Sequence, residues 1–354
     1  MQYINQYYVD SVNIDSVYDQ AISSVLHNLD PHSAYATPAE NKTMMESLNG
    51  AFEGVGIQFN IMNDTVMVIS TISGGPAEKS GVRAGDRIVT VNGKSIIGTS
   101  NEQVFKLLRG KKGTKVKIGV IRPGFKDIYA YEITRNVIPT YTIDVAYMTD
   151  PHTGYIKMNE FGSTTVKEFQ DAIYKLKKQG MTSMILDLRG NSGGFLDAAI
   201  GVCDEFLGKN QKIVSVEGLK VRPEIIYATH KGNFEKGKLV VLIDDFSASA
   251  AEIVAGAVQD NDRGMIVGRR SFGKGLVQRQ FDLSDKSTIR LTTARYHTPS
   301  GRCIQRDYKN GTEAYYEEIY ERPARGEMEN IDSIKQDKSI AYKTVGGRTV
   351  YGGG

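Results

Sequence analysis

The stretch LVVLIDDFSASAAEIVAGAVQD, residues 239–260, decides the fold. Leu239–Ile243 is a short apolar run that reads as a buried strand, while Ile253, Val254 and Ala257 recur at helical spacing. A few small residues join the two. Ser249 therefore falls at a junction of strand and helix.

The alternation continues on both sides. GYIKM (154–158) precedes the helical pattern VKEFQDAIYKLKKQG (166–180), and MILDL (184–188) precedes a helix around LDAAIGVCDEFLG (196–208). MIVG (265–268) follows the opening stretch. From Tyr141 onward this predicts an α/β layer with strands buried under helices. Between Phe52 and Val137 the pattern changes to short β-rich runs: GVGIQFNI, then TVMVISTI after Asn63-Asp64, then RIVTVNG and VKIGVIR. One helical stretch, NEQVFKLLRG (101–110), sits among them. Residues 1–48 read as helical. Val17, Ala21, Ile22, Val25 and Leu26 share a face, and the proline of LDPHS (29–33) ends the run. The expected organisation is a helical segment over 1–48, a β-rich module over 49–137 and an α/β core over 138–354.

Composition narrows the function. With 44 Lys and Arg against 41 Asp and Glu, the net charge is +3, and no basic tract points to nucleic acid. No run of eighteen apolar residues suggests a membrane span. Two cysteines, Cys203 and Cys303, are too few for a disulfide framework or a metal site, and five histidines show no ligand spacing. No cofactor is expected. The first residues lack the charged and apolar regions of a signal peptide, and the polar end at Gly352-Gly353-Gly354 looks frayed or truncated.

Four constellations can carry chemistry. A hydroxyl at Ser249 would stand beside the unpaired N–H groups of a helix N-terminus, which suit an oxyanion, and small neighbours would leave room for a peptide. The structural alternative is a capping box, Ser249-x-x-Glu252, and Ser247 competes for any nucleophilic role. Lys274, between Gly273 and Gly275, can be turned inward and held neutral by burial, as a general base must be, or can be an exposed turn residue. The same segment, Gly268 to Lys274, also fits the first seven positions of a phosphate-binding loop. Gly275 stands where that loop needs a hydroxyl, and the acidic strand precedes the loop instead of following it.

MILDLRGNSGG (184–194) places Gly193 and Gly194 where backbone N–H groups can face a ligand; Asp187 and Arg189 would share a strand face and pair. The bland reading is a plain strand–turn–helix connection. EGVGIQF (53–59) sets glycines before an alternating strand, where N–H groups can take a terminal carboxylate while a peptide adds to the strand edge. The alternative there is a spacer module.

Taken in order, these segments resemble the carboxy-terminal processing peptidases, or tail-specific proteases. VDSVNIDSVYDQAISSVLHNLDPHSAY is similar to the family's N-terminal helical segment. FEGVGIQF, SGGPAEKSGVRAGDRIVTVNGKSI and LLRGKKGTKVKIGVIR resemble its PDZ domain. GYIKMNEFG, LDLRGNSGG, SASAAEIVAGAVQDNDRGMIVGRRSFGKGLVQ and IRLTTARYHTPSGRCIQ resemble its catalytic core, of the ClpP/crotonase-like α/β kind.

The resemblance implies a serine endopeptidase with a Ser–Lys dyad: Ser249 as nucleophile, Lys274 as base, Gln278 in support, and Ala250 and Gly193 as oxyanion donors. It implies that Val55, Gly56 and Ile57 bind the terminal carboxylate of protein or peptide substrates. Where the family reads SASASEI, this chain has Ala251. A periplasmic or cell-envelope location is also implied, with both chain ends expected to be trimmed. A homo-oligomer is left open, and a catalytically silent peptide-binding protein is the alternative function.

Overall fold

A computed structural model describes residues 2–125, 127–229, 232–334 and 340–352. Met1, Gly353 and Gly354 lie outside the described residues. The chain divides into two units, Gly50–Thr140 and a larger one that joins Met1–Asn49 to Tyr141–Gly354.

The larger unit carries the expected alternation. One sheet has the order Ile143–Met148, Thr153–Met158, Ser183–Asp187, Lys238–Ile243, Met265–Gly268. Its first pair is antiparallel and the other three are parallel. Parallel neighbours need crossovers, and the helices Thr165–Lys178, Leu196–Asp204 and Ala250–Asp260 lie in them.

A second, antiparallel sheet runs Ala34–Ala36, Thr288–His297, Lys212–Gly218, Val221–Tyr227, with Leu276–Asp282 also paired to Thr288–His297. One core joins Met184, Leu186 and Val241 of the first sheet to Val214, Ala294 and Tyr296 of the second. The helix Ala250–Asp260 is buried from Ala250 through Val258, the condition of a helix apolar all round. Its small residues permit this: a Cβ on Gly256 would come within 2.7 Å of Thr298.

The segment 1–48 is not helical throughout. Helices span Gln2–Tyr7, Ile14–His27 and Pro38–Leu48, and a strand, Ala34–Ala36, intervenes. Asn13 caps the second helix by accepting from Ser16 N–H at 3.2 Å, and Thr37 with Glu40 forms a capping box on the third. The strand pairs Ala34 with Arg290 and Ala36 with Thr288, across most of the chain. Of the apolar face read from sequence in the second helix, Leu26 is buried but Val25 is 64% exposed.

In Gly50–Thr140, the strands Ile57–Met62, Thr65–Thr71, Arg87–Val91, Lys115–Ile121 and Ile128–Thr134 form an antiparallel sheet in that order. Asn63 and Asp64 both have positive φ, 49° and 57°, which suits a two-residue hairpin. Val66, Val68, Ile88, Ile118 and Val120 pack with Val104 and Leu108 of the helix Asn101–Leu108 in a separate core. Ile57–Met62 is an edge strand, paired among the described residues with Thr65–Thr71 alone. The strands Ala51–Gly54 and Asn136–Pro139 pair and bring the ends of this unit together.

Candidate active site

Ser249 stands where the strand Lys238–Ile243 has ended and the helix Ala250–Asp260 begins. Its backbone has φ 53° and ψ −113°, a combination that costs on the order of 1–3 kcal/mol for a residue with a Cβ. Bonds on each side hold it there. Ala248 N–H donates to Asn191 O at 3.0 Å, Ser249 N–H donates to Glu252 Oε2 at 2.8 Å, and the Tyr296 hydroxyl donates to Ser249 O at 3.1 Å. Of the capping-box pair of Ser249 and Glu252, the hydrogen bond that forms is the one from the Ser249 backbone to the Glu252 carboxylate. The Ser249 hydroxyl makes no side-chain cap hydrogen bond and lines a cleft of about 750 Å³. Ser247 is ruled out as a competitor: it is fully buried, its hydroxyl donates to Leu188 O at 2.8 Å, and it accepts from Asp244 N–H at 2.9 Å.

Lys274 lines the same cleft. Its loop is built around the buried carboxylate of Glu252. Oε1 accepts from Ser271 Oγ at 2.6 Å and Gly273 N–H at 2.7 Å, while Oε2 accepts from Lys274 N–H at 2.9 Å as well as from Ser249. Burial pushes Glu252 above its ordinary pKa, against the lowering effect of these four donors. The tight path needs glycine: at Gly273 φ is +86°, and a Cβ would lie 2.5 Å from Arg306 Cγ. The phosphate-loop reading fails on two counts. Backbone N–H groups that would cradle a phosphate serve Glu252, and a strand, Leu276–Asp282, follows where that motif requires a helix.

Burial lowers the Lys274 amine to about 8, and the nearby Arg290 cation acts in the same direction. Nζ donates to Gln278 Oε1 at 3.0 Å, so the structure brings the predicted lysine and glutamine together. No hydrogen bond joins Nζ to the Ser249 hydroxyl among the described residues. His32 lies close by, its ring kept neutral because burial and then Lys274 lower it to about 3.

Ala250 is the first helical residue, where the backbone N–H has no intrahelical acceptor, as an oxyanion donor requires. Gly193 is differently placed from the expectation. Its N–H donates to Asn191 Oδ1 at 2.9 Å, so it is already engaged; the next N–H, that of Gly194, has no acceptor among the described residues. What Gly193 does supply is close approach: a Cβ there would lie 2.8 Å from Ser249 Cβ and 3.1 Å from Ala250 N. Asp187 and Arg189 do pair, at 2.6 Å, but not along one strand face, because the strand ends at Asp187. Burial alone would raise Asp187; bonds from Arg189 and Tyr155 hold it at about 2.

Several contributors carry no sequence signal of their own. Glu252 was visible only as a cap residue. Tyr296, whose one hydroxyl proton is shared with Lys274 O at 2.8 Å, and Met44, Met45 and Leu48, which line the cleft from the helix Pro38–Leu48, stand in no motif that marks them.

In the other unit, Val55 is buried and Gly56 has φ +76°, with Ile57 opening the edge strand. The carbonyls of Val55 and Gly56 accept from Ala77 and Ile72 N–H groups at 2.9 and 3.0 Å. Two carbonyl bonds thus fix this turn at the start of the edge strand.

The profile of peptidase family S41 matches residues 152–314, and a PDZ profile matches residues 68–122. Over 333 residues the chain is 36% identical to the carboxy-terminal processing protease CtpA of Bacillus subtilis, covering 94% of this chain and 70% of that protein. It is 38% identical over 303 residues to the carboxy-terminal-processing protease of Bartonella bacilliformis, covering 84% and 69%. A solved Bacteroides fragilis structure described as an S41 protease shares the fold, with TM-score 0.52 at 18% identity over 87% of this chain and 93% of that one. Fold and relatives define a serine peptidase with a PDZ domain. The chain belongs to the carboxy-terminal processing proteases of peptidase family S41.

Proposed function

We propose that the chain cleaves proteins by acyl transfer with Ser249 as nucleophile and Lys274 as general base, on substrates chosen by their C-terminal tails. The observation that carries this is a desolvated amine, lowered to about 8, opening on the same cleft as a serine held in a strained strand-to-helix turn. Neutral Lys274 takes the Ser249 proton as the hydroxyl oxygen attacks the peptide carbonyl. The tetrahedral oxyanion forms beside Ala250 N–H, with Gly194 N–H, which also borders the cleft, as a second donor. Lysine, now protonated, gives its proton to the leaving amine; water then hydrolyses the acyl-enzyme with Lys274 again as base. Gln278 Oε1 holds the amine in place through the cycle.

Tail selection belongs to Gly50–Thr140. The terminal carboxylate meets the turn Val55-Gly56-Ile57, and the tail adds as a strand beside Ile57–Met62. The test is cleavage of an unstructured protein with an apolar C-terminus. Wild type cuts it, and Ser249→Ala and Lys274→Ala do not. If wild type binds such tails and never cuts them, the chain is a silent binding protein and the proposal fails.

A further inference from the structure

The Gln278 amide has two chemically opposite ends, and a residue in the N-terminal segment decides which one faces Lys274. Its Nε2 donates to the backbone carbonyl of His32, which leaves Oε1 to accept from Lys274 Nζ at 3.0 Å. With the amide turned over, NH₂ would confront the amine and oxygen would confront a carbonyl. The carbonyl contact would be repulsive, and so would the contact with a protonated amine; toward the neutral amine the NH₂ would donate to the lone pair that must take the Ser249 proton.

The His32 carbonyl is itself held by a tight turn. Asp30 Oδ1 accepts from His32 N–H at 2.8 Å and Ser33 N–H at 2.9 Å, and Asp30 Oδ2 accepts from the Ser33 hydroxyl at 2.5 Å. This turn is tied to Thr292, the cross-strand partner of Gln278. Thr292 N–H donates to Ser33 Oγ and Thr292 Oγ1 to Asp30 Oδ1, both at 3.0 Å. Asp30 and Ser33 are buried and do not line the cleft.

We infer that the turn Asp30-Pro31-His32-Ser33 is a positioning element of the peptidase site, which fixes the Gln278 amide so that its oxygen meets Lys274. The inference rests on the Ser249–Lys274–Gln278 reading. Asp30 never touches substrate; it acts through the His32 carbonyl and then Gln278. Its negative charge also favours protonated Lys274, so the test must separate charge from geometry. Asp30→Ala and Asp30→Asn lose the same charge, but asparagine keeps the Oδ1 acceptor of the His32 and Ser33 N–H groups and exchanges only Oδ2 for an NH₂ that can donate to Ser33 Oγ, whereas alanine removes both oxygens.

The experiment measures kcat and KM on the unstructured protein substrate for D30A, D30N, Q278A and the double variant D30A/Q278A. S249A and K274A serve as controls. The expected result is a kcat loss of about 10- to 100-fold in D30A with KM unchanged, as for a misplaced catalytic group. D30N keeps most of the wild-type rate, and the double variant loses no more than Q278A alone, because both changes act on one step. Equal rates in D30A and D30N, or losses that multiply in the double variant, overturn the inference. If D30A does not fold, S33A removes one hydroxyl, keeps the charge and enters the same cycle with the same two outcomes. K274A at wild-type activity would sink the Ser–Lys reading and this inference with it. K274A inactive beside an unimpaired D30A sinks the inference alone.

Discussion

Ser249 and Lys274 donate their backbone N–H groups to the same oxygen of Glu252, at 2.8 and 2.9 Å. The Tyr296 hydroxyl reaches the carbonyls of the same two residues, at 3.1 and 2.8 Å. Nucleophile and base, distant in sequence, are thus referenced to one carboxylate and one phenol in the core. A shift of either loop pulls on a group that the other loop also bonds.

Glu252→Ala leaves four donors, Ser249 N–H, Lys274 N–H, Gly273 N–H and Ser271 Oγ, without their acceptor. Each orphaned buried group costs about 1–3 kcal/mol, less what relaxation and entering water recover. A net loss of about 3 kcal/mol in urea unfolding is expected, together with loss of peptidase activity. Unchanged stability would show that the carboxylate does not organise the two loops.

Gly193→Ala tests close approach at the nucleophile. The added methyl group would meet Ser249 Cβ at 2.8 Å and Ala248 O at 2.9 Å, at a φ of +106° that alanine rarely adopts. Displacing Ser249 by a fraction of an ångström to an ångström predicts a fall in kcat of about 100-fold. A variant with wild-type kcat would show that Ser249 tolerates the shift.

Much of this was legible in the sequence, for physical reasons that differ by region. The parallel sheet announces itself because its strands are short apolar runs, as in Lys238–Ile243, where Leu239 and Val241 are buried and Val240 and Leu242 half-buried, and each crossover brings a helix of period 3.6, as in Ala250–Asp260. Ser249 at the junction follows from that pattern alone. The antiparallel sheet was harder. Strand Thr288–His297, TIRLTTARYH, mixes polar and apolar residues, and its neighbours Lys212–Gly218 and Ala34–Ala36 lie far off in sequence. The contribution of the N-terminal segment was hidden for the same reason: the bond from Gln278 to the His32 carbonyl spans most of the chain and leaves no local periodicity. Gly193 shows a finer limit. Glycines in a turn say that N–H groups can point at a ligand, but not that the Asn191 side chain already takes one of them.

Tail recognition can be measured apart from cleavage in the full chain carrying Ser249→Ala. A peptide with an apolar end and a free carboxylate should bind at least about tenfold more tightly than its C-terminal amide, since removing one charged hydrogen-bonding partner costs about 1.5–3 kcal/mol. Gly56→Val should abolish the difference, because its φ of +76° and a Cβ contact of 3.1 Å to Ile138 Cδ1 leave no room for a side chain. Equal affinity for acid and amide would remove the carboxylate turn from the account.

The most direct test of the central claim is the pH dependence of Ser249 acylation. Only the neutral amine can take the serine proton, and burial lowers Lys274 from 10.5 to about 8. The rate at which a fluorophosphonate labels the protein should therefore rise from about pH 6 and level off by about pH 10. Its midpoint should lie near the Lys274 value, and mass spectrometry should find the adduct on Ser249. Lys274→Ala should remove both the labelling and the titration. A pH-independent rate, an adduct on another residue, or undiminished labelling in Lys274→Ala would contradict the account.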